Sequence, residues 1–217
     1  MALAAAHAAF RVRSSEGLRY KVTVSLPLGY DRPEEAGLRY PVVLALDAEP
    51  YLFPLLATAA RTNHFFKRSS WYPSSLIPLI DSKYRTSKGD RALVGKSFGG
   101  SAVLHAMLDQ ECSPLFSHYL LGSPSISWDD RAFFRLEEES HKSRRPLSAA
   151  VYYAVGGREP SQPGSARDFE RVLCSRGYPD LSITVDVVEG EDHGSLSYPF
   201  VCRGLNWLAA SLARSRA

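Results

Sequence analysis

The sequence has little of several features that narrow a protein's class. Its 217 residues include only three cysteines, Cys112, Cys174 and Cys202. Their odd number and spacing fit neither a disulfide framework nor a zinc site and favour buried thiols in a reducing compartment. No run approaches the roughly 18 to 20 apolar residues of a membrane-spanning helix. The apolar stretch MALAAAHAAF lacks a basic region and a long apolar region, and RVR follows it at once, so we predict no signal peptide and a cytoplasmic protein.

The sequence also has almost no excess of charge of either sign. Lys and Arg number 26 against 23 Asp and Glu, which gives a formal net charge of +3. A charge this small and scattered provides no basic patch for nucleic acid or for an anionic membrane. We therefore expect a small-molecule partner, with neither nucleic acid nor a membrane bound, and composition leaves the oligomeric state open.

What the sequence does contain is an alternation of strand and helix patterns. LRYKVTVSLPLGYD alternates apolar and polar residues, as a strand with one solvated face does, whereas YPVVLALDAEP is apolar throughout residues 42–46. Further strand patterns occupy residues 91–95, 117–125, 149–157 and 181–190, and helix patterns occupy 76–84, 98–109, 165–175 and 199–213. This order predicts one α/β domain over residues 1–217, with a mostly parallel sheet and helices on both faces.

The stretch RALVGKSFGG, residues 91–100, carries the first chemical signal. It contains G-x-S-x-G with Ser97 at its centre, between a buried strand pattern and a helix pattern rich in small residues. A nucleophilic serine needs such a strand, sharp turn and helix, because the turn raises its hydroxyl above the carboxyl edge of the sheet. The helix N-terminus also favours a developing negative charge. The alternative is a Gly/Ser turn that only joins strand to helix.

A nucleophilic serine needs a base, and one of the six histidines is well placed for this. His193, in EGEDHGS, follows the last strand pattern on a loop that could reach Ser97. His105 lies within the helix after the serine and His118 begins a strand, so structural positions are the simpler interpretation for both. For His193 the alternative is an exposed loop histidine without a catalytic role.

A third group has to orient the imidazole, and we expect it after the penultimate strand. Glu159, in AVYYAVGGREP, has that position. Asp168 is the rival, although residues 165–168, SARD, have the pattern of a helix cap with its acid at the third helical position. Asp192 adjoins His193 in sequence, which makes a productive geometry awkward. The residues alone leave the choice of acid open.

With these residues in hand, the chain resembles the esterase family of the α/β-hydrolases, above all its siderophore-esterase branch. The family includes feruloyl esterases, S-formylglutathione hydrolase, mycolyltransferases and enterobactin-type siderophore esterases. The resemblance rests on stretches in the family's order: YPVVLALDAE, SLIPLIDSKYRT, RALVGKSFGGSAVLHAML, LFSHYLLGSPSISWDD, VYYAVGGREP and EGEDHGS. It implies a single α/β-hydrolase domain, residues 1–217, and a serine esterase with no metal or organic cofactor. The alternatives are an acyltransferase or a non-catalytic binding protein on the same scaffold.

The resemblance also implies roles for individual residues. An acyl-enzyme mechanism would use a nucleophile, a base and an acid at Ser97, His193 and Glu159. The donors to the oxyanion would be the backbone N–H of Phe98 and the backbone N–H of either Ala48 or Glu49. Side chains expected near the substrate are Tyr51, Trp71 and Trp128. Residues 123–125, SPS, are a further candidate for substrate contact, and the aromatic residues of 65–72 form either an acyl pocket or hydrophobic cover for the sheet.

Two features depart from the family pattern. Ala48 replaces the usual glycine, and the span AEPYLFPLLATAARTNHFFKRSSWYPSS has no convincing buried strand. We therefore expect the strand between the second and third to be absent, together with the substrate-binding loops, and KVTVSL to pair directly with VVLAL. Such a sheet would leave a shallow, open cleft around Ser97, which would bind small activated esters weakly and would also admit bulky or polymeric esters.

Overall fold

The computed structural model describes residues 7–13, 19–27, 29–46, 65–68, 73–143 and 146–215. The strands are β1 His7–Arg13, β2 Arg19–Ser25, β3 Tyr40–Ala45, β4 Phe65–Arg68, β5 Thr86–Lys96, β6 His118–Gly122, β7 Ala149–Gly156 and β8 Leu181–Val188. The α-helices are α1 Pro73–Lys83, α2 Phe98–Leu108, α3 Trp128–Lys142, α4 Gln162–Ser175 and α5 Ser197–Arg214.

The strands form one eight-stranded sheet in the order β1-β2-β4-β3-β5-β6-β7-β8. From β4 to β8 the neighbouring strands are parallel, whereas β1 and β2 are antiparallel to each other and β2 is antiparallel to β4. This confirms the predicted mostly parallel sheet. Because parallel strands end at one edge, the loops after β5, β7 and β8 are brought together there.

The core lies on both faces of the sheet. Every residue of β3 is buried, as a strand covered on both faces requires. Its side chains alternate between two clusters: Val42 and Leu44 join one with residues of α1 to α4, and Val43 and Ala45 join the other with residues of α5. The predicted cover of helices on both faces is therefore confirmed.

The prediction that one strand is absent is wrong. Residues Phe65–Arg68 form β4, which lies between β2 and β3 and pairs with both. KVTVSL therefore does not pair with VVLAL. The four-residue sequence FFKR has no aliphatic run or clear alternation, so its strand structure depends on the open edges of its neighbours. The expectation of an open cleft loses this premise, and residues 47–64 and 69–72 lie outside the described part of the chain.

Two more elements were not predicted from the sequence, β1 and α3. Strand β1 pairs antiparallel with β2 over its whole length. Helix α3 has a polar sequence, WDDRAFFRLEEESHK, and one of its core positions is taken by a glutamate, Glu137, which is fully buried. Arg176 donates to that carboxylate over 2.8 Å and Tyr178 over 3.2 Å. These partners stabilise a buried charge that a hydrophobicity pattern registers as solvent-facing.

The three cysteines are all free thiols, but only Cys112 is buried. Cys202 is half-buried and Cys174 is exposed on α4, so the expectation of buried thiols is wrong for Cys174. Among the described helices, none has both the length and the apolar character that crossing a membrane requires.

Candidate active site

Ser97 lies in a strained turn between β5 and α2. Its φ of 56° and ψ of −121° are outside the regions that L-residues usually adopt. The Ser97 N–H donates to the carbonyl of Gly122 over 2.7 Å, which ties the turn to the end of β6. A Cβ at Gly95 would collide with the backbone of Gly99. The first glycine of G-x-S-x-G is therefore needed for the close approach of strand and helix.

His193 lies on the loop between β8 and α5, and Asp192 shapes that loop. The Asp192 Oδ1 accepts hydrogen bonds from the N–H groups of Gly194 and Ser195, each over 2.9 Å. The Asp192 N–H in turn donates to Ser195 Oγ over 2.9 Å. Hydrogen bonds from Ser195 and Gly194 lower the pKa of the Asp192 carboxyl. Asp192 thus forms the turn beside the histidine and makes no contact of this kind with its ring.

Ser97, His193 and Glu159 form a continuous chain of hydrogen bonds. The Nε2 of His193 is 2.9 Å from Ser97 Oγ, and its Nδ1 is 2.8 Å from Glu159 Oε2. A carboxylate can only accept, so Nδ1 carries the proton of the neutral ring and Nε2 is left to accept from the serine hydroxyl. This tautomer is the one that can remove a proton from the serine.

The Glu159 carboxylate is buried, with only 6% of the side chain exposed, whereas 48% of the His193 side chain is exposed. The Oε1 of Glu159 accepts hydrogen bonds from the N–H of Gly156 over 2.8 Å and from the hydroxyl of Ser123. Ser123 is fully buried and has a φ of 38°. Of the SPS stretch, Ser123 thus contacts the acid that faces the histidine, a position that the sequence did not predict.

Asp168, the rival acid, lies elsewhere. Its carboxylate pairs with Arg131 over 3.4 Å and with Arg171 of its own helix. The predicted helix cap at residues 165–168 is wrong, because α4 already begins at Gln162, with Pro163 in its first turn. Proline suits that turn because its missing N–H would have no intrahelical partner there. Asp168 therefore lies inside α4 and outside the hydrogen-bonded chain of Ser97.

Lys96 joins the serine turn to the histidine loop. Its Nζ donates to the main-chain carbonyl of His193 over 2.6 Å. Burial lowers the pKa of Lys96, and the carboxylates of Glu159 and Asp192 oppose that shift. The sequence pattern did not mark this residue, because the second position of G-x-S-x-G has no required side chain.

Comparison with known proteins places the chain in a family. A family model described as "Putative esterase" matches residues 61–193, more than half of the chain. The chain belongs to this esterase family. A siderophore enterobactin esterase from Emericella nidulans is 35% identical over 79 residues, which cover 36% of the chain and 23% of that relative. That alignment thus spans less than a quarter of the relative's length.

Two solved structures share the fold of this chain. The BES protein from Bacillus cereus superposes with a TM-score of 0.78 at 18% identity, covering 96% of the chain and 97% of that protein. The siderophore hydrolase EstA from Aspergillus nidulans superposes with a TM-score of 0.78 at 20% identity, covering 94% of each chain. At these identities the likeness shows the α/β-hydrolase fold.

The sequence also predicted site residues beyond the hydrogen-bonded chain. Ala48, Glu49, Tyr51 and Trp71 lie outside the described residues. Trp128 is the first residue of α3, and its contact with substrate stays a prediction. Phe98 begins α2, where first-turn N–H groups have no intrahelical acceptor, and it is 76% exposed.

Proposed function

We propose that this protein hydrolyses carboxylic esters through an acyl-enzyme formed on Ser97. The observation that carries the proposal is the hydrogen-bonded chain from Ser97 Oγ through His193 to Glu159, with contacts of 2.9 and 2.8 Å. It lies at the carboxyl edge of a largely parallel sheet, where α/β proteins bind their ligands. Membership of the esterase family supports the same chemistry.

In the proposed acylation step, Ser97 Oγ attacks the carbonyl carbon of the ester while His193 Nε2 takes the hydroxyl proton. The tetrahedral intermediate collapses when His193 returns that proton to the leaving alcohol. Water then attacks the acyl group in the same way and restores the serine. Glu159 stays ionised throughout and stabilises the imidazolium that forms in each step.

The oxyanion of each tetrahedral intermediate requires donors that are already in place. The N–H of Phe98, at the start of α2, is the proposed first donor, and the proposed second donor is the N–H of Ala48 or Glu49. Loss of one such donor costs about 3 to 4 kcal/mol of transition-state stabilisation. The positive end of the α2 dipole adds to this stabilisation.

Siderophore esters are the substrate class to assay first. The proteins reported above include one named as a siderophore enterobactin esterase and one named as a siderophore hydrolase. An acyltransferase would differ only in the acceptor that replaces water, so product analysis with added alcohols separates the two activities.

Ser97→Ala tests the proposed function directly. The variant should lose roughly 10⁵-fold or more in kcat towards 4-nitrophenyl esters, because Oγ forms the covalent bond. It should also lose labelling by a fluorophosphonate probe and keep the thermal unfolding of the wild type. Ser175→Ala is the matched control, since Ser175 is exposed and its hydroxyl donates to Val172 O within its own helix turn.

Retention of more than about a hundredth of the activity by Ser97→Ala would refute the proposal. A wild-type protein that neither hydrolyses esters nor reacts with the probe would instead support the non-catalytic alternative.

A further inference from the structure

We propose that Lys96 is a positioning residue for His193, acting through the hydrogen bond from its ammonium group to the histidine's main-chain carbonyl. The inference rests on the proposed function, because it assigns a role beside the same hydrogen-bonded chain. It concerns a residue that neither the motif nor the triad requires.

The end of β5 is linked both to Ser97 and to the backbone of His193. Lys96 is the last residue of β5 and directly precedes Ser97. Its Nζ lies 2.6 Å from the carbonyl oxygen of His193, 97 residues further along the chain. The end of β5 therefore carries the serine and also holds the backbone of the residue that accepts the serine's proton.

The loop that carries His193 needs a hydrogen bond to β5 because many of its other hydrogen bonds are formed within the loop. Asp192 bonds to Gly194 and Ser195, which shapes the loop but does not place it relative to β5. The N–H of Arg158 donates to Glu191 O over 2.9 Å, which links the loop to the turn after β7. The bond from Lys96 supplies the corresponding link to the strand of the nucleophile.

The exposure of His193 makes the position of its backbone important. With 48% of its side chain exposed, packing alone restrains the ring only in part. A displacement of about 1 Å between reacting groups can lower a rate by about 10²-fold. Anchoring the His193 carbonyl restrains the imidazole where it meets both Ser97 Oγ and Glu159 Oε2.

The charges around Lys96 favour an ammonium donor. Two carboxylates attract it electrostatically, Glu159 in the turn after β7 and Asp192 in the loop after β8, and Arg158 in turn interacts with Asp192. Burial lowers the pKa of Lys96 and the carboxylates counteract this effect. A charged donor makes a shorter and stronger hydrogen bond than a neutral one, which agrees with the 2.6 Å contact.

Lys96→Met and Lys96→Arg test the inference in the full-length protein. Methionine keeps an unbranched stem but removes charge and donor, whereas arginine keeps both. Lys88→Met is the matched control, since Lys88 is exposed on the same strand. Two readouts are measured: kcat and KM with 4-nitrophenyl acetate, and the downfield proton resonance of the bond between His193 Nδ1 and Glu159, assigned with His193→Ala.

We expect Lys96→Met to lose roughly 10- to 100-fold in kcat with little change in KM, because alignment rather than binding is impaired. The downfield resonance should broaden or shift. Lys96→Arg should recover part of the kcat, and Lys88→Met should match the wild type in both readouts.

Wild-type kcat and an unchanged resonance in Lys96→Met would overturn the inference. If Lys96→Met does not fold, Lys96→Arg decides, because a folded arginine variant that loses kcat while the resonance stays unchanged also contradicts positioning. Failure here is distinct from failure of the proposed function, which would show as activity surviving in Ser97→Ala. The resonance reports the hydrogen bond between His193 and Glu159 whichever of the two proposals fails.

Discussion

Two histidines of this protein each lie between two hydrogen-bonding partners, and they differ in nearly every other respect. His193 meets Glu159 and Ser97. His118 has its Nδ1 2.8 Å from Ser117 Oγ and its Nε2 3.1 Å from Ser211 Oγ. The His193 side chain is about half exposed, whereas His118 is buried.

The comparison shows that a serine lies beside an imidazole in two different chemical settings. Hydroxyl groups can donate or accept, so Ser117 and Ser211 suit either neutral tautomer of His118, whereas a carboxylate selects one tautomer. Burial lowers the pKa of His118, Arg214 adds to this and Asp90 opposes it. His118 also begins β6, at the opposite edge of the sheet from the loops that carry Glu159 and His193.

A similar contrast separates two buried glutamates. Glu137 is held by the permanent cation of Arg176 and by the hydroxyl of Tyr178, so no partner can carry a proton between groups at neutral pH. Glu159 faces an imidazole that also reaches a serine. The partner, rather than the burial of the carboxylate, therefore distinguishes a candidate site from a structural ion pair.

The largest expected effect is the difference in activity between variants of the two histidines. His193→Ala should lose roughly 10⁵-fold or more in kcat, because proton transfer from Ser97 requires the ring. His118→Gln should keep most of the activity and lose roughly 1 to 3 kcal/mol of stability, since the buried hydroxyl of Ser211 and the half-buried hydroxyl of Ser117 lose a partner. Ester hydrolysis and urea unfolding measure the two effects. A His118 variant that folds normally but is inactive would contradict the comparison.

Changing the acid is expected to have the next largest effect. Glu159→Gln should lose roughly 10³- to 10⁴-fold in kcat, less than His193→Ala, because the acid orients the ring and does not transfer the proton. Asp168→Asn is the control, because its carboxylate pairs with arginines. If Asp168→Asn proves the more damaging change in hydrolysis assays, the choice of acid is wrong.

Removing a hydrogen-bond donor to the acid should lower kcat by a smaller factor. Ser123→Ala removes one donor to Glu159 Oε1 and leaves the N–H of Gly156. A loss of about 1.5 kcal/mol, roughly tenfold in kcat, is expected for a hydrogen bond to a charged group. Ser127→Ala, at an exposed serine bonded to Ser165, should change kcat little. Equal activity of the two variants in hydrolysis assays would exclude a role for Ser123 in holding the acid.

The smallest expected effect is the contribution of His118 to the change of the protein's stability with pH. Because its pKa in the folded protein is below the ordinary value of 6.5, the unfolded chain binds the proton first as pH falls. Stability is therefore complete above about pH 6.5 and decreases below it, until the pH passes the folded pKa, at no more than about 1.4 kcal/mol per pH unit. Urea unfolding at about pH 7.5 and about pH 5 should show a smaller decrease for His118→Gln. Identical decreases for variant and wild type would rule out this contribution.

The sequence alone determined much of the fold and the main residues of the candidate site. The buried strand of residues 91–95 and the glycine before Ser97 are local features, and local sequence reports burial and turn geometry directly. The parallel sheet followed from the order of its elements. Because that order places the loops after successive strands at one edge, Glu159 and His193 could be nominated before any contact was known.

Only the tertiary structure decided which groups meet. Ser123 and Glu159 are 36 residues apart and Lys96 and His193 are 97 apart, so no local pattern records either hydrogen bond. Strand β4 likewise exists where β2 and β3 offer edges to a segment with weak propensity of its own. The physical reason is common to all three cases: a hydrogen-bonding group is satisfied by whatever the fold brings beside it, however distant in sequence.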